Sequence, residues 1–219
     1  MPKSKREIDV SLTRVKKKTK EHKVKLVDGI RKCVDTYKHL FVFEIENMRS
    51  SKFTEIRQKF KNNARFFYGK NNVMALALGK STSTEYAPGL SKIKDFLKGE
   101  CGLMFTNGDQ ETVVEYFKKL HITDFARCGQ RAVCTVELCE GPLQQFPFSL
   151  EPQLRKLGLP TKLDKGVVSL ISHHTVCKEG DKLTSDQCRL LKFLNHKMSI
   201  FQVKLSAHWS KLEGFEHIT

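Results

Sequence analysis

The feature that most constrains this chain is a change of texture near residue 125. Up to that point, short runs of β-branched and aromatic residues alternate with stretches whose apolar residues recur at helical spacing. Residues 125–183 then hold Pro142, Pro147, Pro152 and Pro160, four of the six prolines, together with Gly129, Gly141, Gly158, Gly166 and Gly180. Beyond 183 a helical stripe and a strand-like run return. Strands alternating with helices indicate an α/β layer, a central sheet with flanking helices. A Pro/Gly-punctuated segment of short strands set inside it reads as a small β-rich insertion domain. The expected organisation is therefore a basic arm at 1–19, an α/β domain formed by 20–124 and 184–219, and an insertion at 125–183.

The individual elements follow from periodicity. Val24, Val27, Ile30, Cys33 and Val34 predict a helix over 21–37 with one buried stripe. LFVFEI at 40–45 reads as a buried strand. A polar loop at 46–52 follows, in which Ser50 or Ser51 caps a helix and Glu55 supplies an acid to its first turn. That helix carries Phe53, Ile56 and Phe60 inward and Arg57, Lys59 and Lys61 outward. A strand at 64–68 leads through Gly69 to a short helix at 71–78, which begins at Asn71 or Asn72. Leu90, Ile93, Phe96 and Leu97 form another helical stripe, before a strand at 101–106 and a helix at 111–120. In the insertion, strands are expected at 132–138 and 167–172. Thr184-Ser-Asp-Gln then starts a capped helix through Leu190, Leu191 and Leu194, and 200–205 is a final strand.

Charge narrows the partner. The chain carries +15, and residues 1–80 hold 21 Lys/Arg against 8 Asp/Glu, so that +13 of the excess lies in the first third. Such a field attracts polyanions, and neutralised phosphates release condensed counterions. No run approaches the length of a membrane helix, and no amphipathic helix with a Trp/Leu face accompanies the basic cluster, since Trp209 is far from it. Nucleic acid is favoured and no membrane contact is expected. The first residues lack an apolar segment of the secretory type, so the chain is expected to stay inside the cell. Residues 1–19 admit two compatible roles: a solubilising or nuclear-import tail, and an arm that orders on RNA.

The sequence points to binding chemistry. Gly69-Lys70-Asn71 lies between a strand and a helix, where backbone amides, a cation and side-chain amides can meet a phosphate. It lacks the upstream Gly and following Ser/Thr of a Walker loop, and ordinary helix capping is the alternative. If strands one and two are neighbours, Arg49, Lys52 and Lys70 converge with Asn47 and Asn71 at one edge of the sheet. Such a site would meet phosphates and sugars more than base edges. The seven Cys have no CxxC spacing and read as reduced thiols. His173-His174 and Cys177 do not make a metal site, because neighbours on a strand point to opposite faces. No nucleophile–base–orienter set appears, so no enzyme activity and no cofactor are expected. GPLQQFP at 141–147, with Leu143, Phe146 and Phe148, reads either as a loop packed on its own module or as a protein-docking surface.

Several stretches together resemble the ribosomal stalk-base family, also known as the L-ten or P-zero family. They are RKCVDTYK at 31–38, FVF at 41–43, NMR at 47–49, GKN at 69–71 and ALALG at 75–79. MPKSKR at 1–6, GLMFTN at 102–107, GPLQQFP at 141–147, EPQLRKLGLP at 151–160 and CKEGD at 177–181 resemble its assembly-factor branch.

The resemblance implies an α/β RNA-binding domain broken by an insertion domain. It also implies a non-enzymatic role in biogenesis of the large (60S) subunit. The factor would bind the GTPase-centre, stalk-base rRNA of nuclear pre-60S particles beside a ribosomal protein of the L-eleven type. It would hold that site until the related stalk protein replaces it, which leaves room for a release factor. Nuclear and nucleolar localisation follows, with shuttling to the cytoplasm. The RNA-facing positions would be Lys3, Lys5, Arg6, Lys16, Lys17 and Lys18 of the arm, Asn47, Arg49, Ser50, Ser51 and Lys52 of the first loop, and Lys70, Asn71 and Asn72 of the second. Residues 81–89 and 96–102 match the family too little for any RNA contact to be assigned there. The sequence ends at Thr219 without the stalk-protein helices and acidic tail of P-zero, which fits a placeholder. The alternatives are a structural stalk-base ribosomal protein and an mRNA-turnover factor.

Overall fold

Fully apolar strands next to amphipathic helices demand a sheet covered by helices, and that is what forms. The computed structural model describes residues 20–218. These make two compact units: one from 20–44, 59–109 and 205–218, the other from 45–58 and 110–204. The helices are α1 (Lys20–Thr36), α2 (Ser50–Lys59), α3 (Asn71–Leu78), α4 (Gln110–Lys119), α5 (Glu151–Lys156) and α6 (Ser185–Phe193). The strands are β1 (His39–Glu46), β2 (Ala64–Phe67), β3 (Cys101–Thr106), β4 (His121–Asp124), β5 (Val136–Leu138), β6 (Gly141–Pro142), β7 (Thr161–Asp164), β8 (Val167–Leu170), β9 (His174–Cys177), β10 (Ser199–Ser210) and β11 (Gly214–His217).

In the first unit the strand order is β11-β10-β1-β3-β2. β1 runs antiparallel to β3, with Phe41 opposite Met104 and Glu44 opposite Cys101. β2 is antiparallel to the other side of β3, with Phe67 opposite Leu103. The condition that strands one and two be neighbours is thus not met, because β3 inserts between them. Both still run the same way and end at the same end of β3. One face of the sheet, with Leu40, Val42, Leu103 and Phe105, packs against Ile30, Cys33 and Val34 of α1 and Met74, Ala75 and Leu78 of α3. On the other face Phe41 stacks on His208 at 4.6 Å, and Phe43 meets Phe66 edge-on at 5.8 Å. The buried stripe of α1 begins at Ile30, and Val24 remains exposed. Gly102 is required by close approach, since a Cβ there would lie 2.4 Å from Phe43 Cζ and 2.7 Å from the Phe67 carbonyl oxygen.

The second unit pairs β4 with the start of β10, from Ser199 opposite Asp124 to Gln202 opposite His121. It also holds a β5-β9 ribbon and a three-stranded β6-β8-β7 sheet. The expected strand at 132–138 shortens to β5 and that at 167–172 to β8. The reason for the first is that Ala132 donates to the Asp181 carbonyl and accepts from Gly180, forming a loop closure rather than a ladder. The expected cap on α6 is present: the Thr184 hydroxyl accepts from the Gln187 amide, and the Gln187 side chain accepts from the Thr184 amide.

The boundary expected after residue 183 differs from what is found. Leu190 and Leu191 of α6 are buried with Ala126, Val136, Leu154 and Val176, so the helix belongs to the core of the insertion. An apolar stripe shows that one face is buried, not which core receives it. Among the described residues no helix is long and apolar enough to cross a membrane.

Candidate nucleic-acid interface

The turn between β2 and α3 is set by packing. Gly69 faces Leu26 of α1, and a Cβ at that position would lie 3.0 Å from Leu26 Cδ2. The close fit holds the turn against the N-terminal half of α1. α3 begins at Asn71 with Lys70 as its N-cap, and no side chain caps it. The Lys70 carbonyl takes the amides of Val73 and Met74, at 2.8 and 3.1 Å. The amides of Asn71 and Asn72 have no acceptor within the helix and remain as donors at its positive end. Asn71 Nδ2 donates to the Gly99 carbonyl at 3.0 Å, which pins the turn from the other side. Lys70 and Asn72 are exposed. The alternative of ordinary side-chain capping does not apply.

α1 adds charge to this turn in a way the sequence reading did not assign. Lys23 is exposed and precedes Leu26 by three residues, so the two share one face of the helix. Lys20, Lys25 and Lys32 are also exposed. The available signal was that these lysines fall off the apolar stripe. Further along α1, Arg31 donates to the Ala77 carbonyl at 3.2 Å and lies over the Tyr86 ring at 5.4 Å, so it serves the fold.

The 47–52 loop is more occupied than expected. Asn47 adopts φ 55°, a left-handed conformation that Asn tolerates. Its Nδ2 donates to the Ile200 carbonyl at 2.7 Å and its Oδ1 accepts from Gln130. Arg49 Nε lies 2.8 Å from Asp124 Oδ2, and Arg49 Nη2 donates to the Phe125 carbonyl. Lys52 pairs with Glu55 at 3.1 Å. Ser50 and Ser51 are exposed on the first turn of α2. The helix begins at Ser50, so Ser50 and Ser51 are helical residues rather than caps, and Glu55 lies beyond the first turn. These partners of Asn47 and Arg49 are 75 or more residues away in sequence, which is why their engagement was invisible there.

Lys70, Asn71 and Asn72 belong to the first unit, and Asn47, Arg49, Ser50, Ser51 and Lys52 to the second. Lys3, Lys5, Arg6, Lys16, Lys17 and Lys18 lie outside the described residues. Elsewhere, burial pushes the Cys101 thiol up to about 11, with the Glu44 carboxylate adding to the effect, so this thiol stays protonated at neutral pH. In the 141–147 segment Phe146 turns into the insertion core, whereas Phe148, just beyond it, is exposed. His173 Nε2 sits 3.5 Å from a Glu137 carboxylate oxygen.

Comparison with known proteins places this geometry in a family. Residues 18–121 match the family described as ribosomal protein L10, and residues 126–195 match the insertion domain described for the 60S ribosomal protein of that family. The second match takes in α6, in agreement with the core to which that helix contributes. The chain is 42% identical to a ribosome assembly factor mrt4 of Neurospora crassa, over 98% of this chain and 92% of that protein. It is 40% identical to one of Dictyostelium discoideum, over 97% and 95%. Identity to the large ribosomal subunit protein uL10 of Neurospora crassa is 27%, over 77% of this chain and 53% of that protein.

Proposed function

The chain belongs to the ribosomal protein L10 family, in its Mrt4 branch, and from that premise we propose that it is a non-enzymatic assembly factor of the large ribosomal subunit that binds rRNA. The observation that carries this reading is that its identity to the assembly factors is higher, and spans more of the chain, than its identity to uL10. The site proposed is the stalk-base, GTPase-centre rRNA of pre-60S particles, beside an L-eleven-type protein. The factor occupies it in the nucleus and nucleolus until the related stalk protein takes its place, with shuttling to the cytoplasm and a release factor completing the exchange.

The residues proposed to face RNA are those of the basic arm, Ser50, Ser51 and Lys52, and Lys70, Asn71 and Asn72, joined by Lys23. Exposed Lys23 and Lys70 and the uncapped amides at the start of α3 support phosphate contacts at the β2–α3 turn. Asn47 and Arg49 act in this reading chiefly by shaping their loop. The test is crosslinking and sequencing of bound RNA from nuclear pre-ribosomes and from cytoplasmic ribosomes. Enrichment of stalk-base rRNA in the nuclear fraction is expected. Equal recovery from translating ribosomes would favour a structural stalk-base protein, the reading that similarity to uL10 supports. Recovery of mRNA in place of rRNA would favour an mRNA-turnover factor.

A further inference from the structure

Within the second unit, a groove of about 450 Å³ opens between the end of β4 and the outer face of α6. Arg49, Phe125, Arg127, Arg189 and Lys192 line it, and among the described residues Asp124 is its only carboxylate. That carboxylate is already committed, with Arg49 Nε at 2.8 Å. Arg127, Arg189 and Lys192 are exposed, and among the described residues none of the three has an acidic side chain within ion-pair distance. The arrangement follows from local structure. Leu190 and Leu191 fix the buried face of α6, so Arg189 and Lys192, one turn apart, share the opposite side. Arg127 directly follows Ala126, which is buried in the same core.

Three uncompensated cations gathered in a concavity repel one another and gain most from an anion. Two of them are guanidinium forks that suit pairs of phosphate oxygens. Half-buried Phe125 also lines the groove, and an aromatic residue beside the cations suits a base or ribose better than an acidic peptide. Arg49 and Ser51 make the groove continuous with the 47–52 loop. We propose that this groove is a second RNA-backbone contact, in which Arg127, Arg189 and Lys192 hold successive phosphates of the bound RNA. It presupposes that the chain binds rRNA, as proposed above, and it adds residues from the insertion domain to that interface.

The test uses the full chain and a transcribed fragment of stalk-base rRNA, with binding measured across a salt series. The triple variant Arg127→Gln, Arg189→Gln and Lys192→Gln is expected to bind about tenfold or more weakly and to lose about two to three units of salt slope, near 0.7–0.9 per phosphate contact. Its thermal unfolding is expected to match the wild type, because all three side chains are exposed. Ultraviolet crosslinking with mass spectrometry is expected to place RNA on peptides spanning 125–131 or 185–193. A wild type that binds the fragment while the triple variant keeps the same affinity and slope would overturn the groove alone. A wild type that fails to bind would overturn both readings. Unchanged RNA binding with loss of binding to a polyglutamate peptide would assign the groove to an acidic protein and overturn the proposal.

Discussion

Arg49 on the approach to α2 and Asp124 at the end of β4 form an ion pair 2.8 Å long, 75 residues apart in sequence, with side chains only 27% and 21% exposed. Arg49 also donates to the Phe125 carbonyl, and Asp124 accepts the Phe125 amide at 2.7 Å. The pair therefore closes a network that ties the 47–52 loop to the root of the insertion. Arg49→Ala is expected to destabilise the protein by about 1–3 kcal/mol, the cost of leaving partly buried polar partners unsatisfied. A double-mutant cycle with Asp124→Ala should show coupling of about 1 kcal/mol or more. Additive losses would show that the pair is worth no more than an exposed surface bridge.

Lys70→Ala should behave oppositely. Lys70 is exposed and makes no ion pair among the described residues, so stability is expected to be unchanged. The salt slope of RNA binding should fall by about 0.7–0.9. Adding Arg49→Ala is expected to leave that loss near the single-contact value once the unfolded fraction it creates is corrected for, because the Arg49 guanidinium is committed to Asp124 and the Phe125 carbonyl. An unaltered slope for Lys70→Ala would remove the α3 turn from the interface.

Gly102→Ala tests the close packing of the first unit's sheet. The new methyl would sit 2.4 Å from Phe43 Cζ and 2.7 Å from the Phe67 carbonyl, and the backbone oxygen cannot rotate away. A destabilisation of about 1–3 kcal/mol is expected from overpacking, read from denaturant unfolding. Gly99→Ala makes a useful contrast, because a Cβ there meets nothing within 4 Å and the penalty comes only from its φ of +68°.

The buried His208 makes stability depend on pH. Its Nε2 lies 3.0 Å from His39 Nδ1, and its Nδ1 lies 3.5 Å from Glu216. Burial holds the imidazole below its ordinary value of 6.5; His39 pushes it the same way, while Glu216 and Glu213 pull it back. The unfolded chain thus takes up this proton more readily than the folded one. Stability is full above the unfolded value and is lost as pH falls below about 6.5 towards the folded value. His208→Gln is expected to flatten the dependence of the melting temperature on pH between about pH 5 and 7. A wild-type profile already flat in that window would contradict this assignment.

Thr184→Ala removes the hydroxyl that accepts from the Gln187 amide at 3.3 Å, half of the capping box on α6. A loss of about 1 kcal/mol is expected, measured by thermal unfolding. Because α6 packs into the insertion core, hydrogen exchange should rise first around Leu190 and Leu191 rather than in β1 or β3.

Local chemistry alone determined a good deal. The apolar runs that became β1, β2 and β3 could be read directly, as could the capped start of α6, because strand and helix periods and cap residues act over a few positions. The +13 concentrated in residues 1–80 likewise pointed to a polyanion without any coordinates. Only the tertiary structure decided which of those cations are free. Arg49 and Lys70 look alike in sequence, yet one meets Asp124 and the other meets solvent. It also inserted β3 between β1 and β2, and gave Leu190 and Leu191 to the insertion core. Most of all, it brought Arg127 beside Arg189 and Lys192, a cluster of three cations spread over 66 positions. Periodicity reports which face of an element is buried, but partners, neighbours and charge compensation depend on contacts between residues far apart in the chain, and those exist only once it has folded.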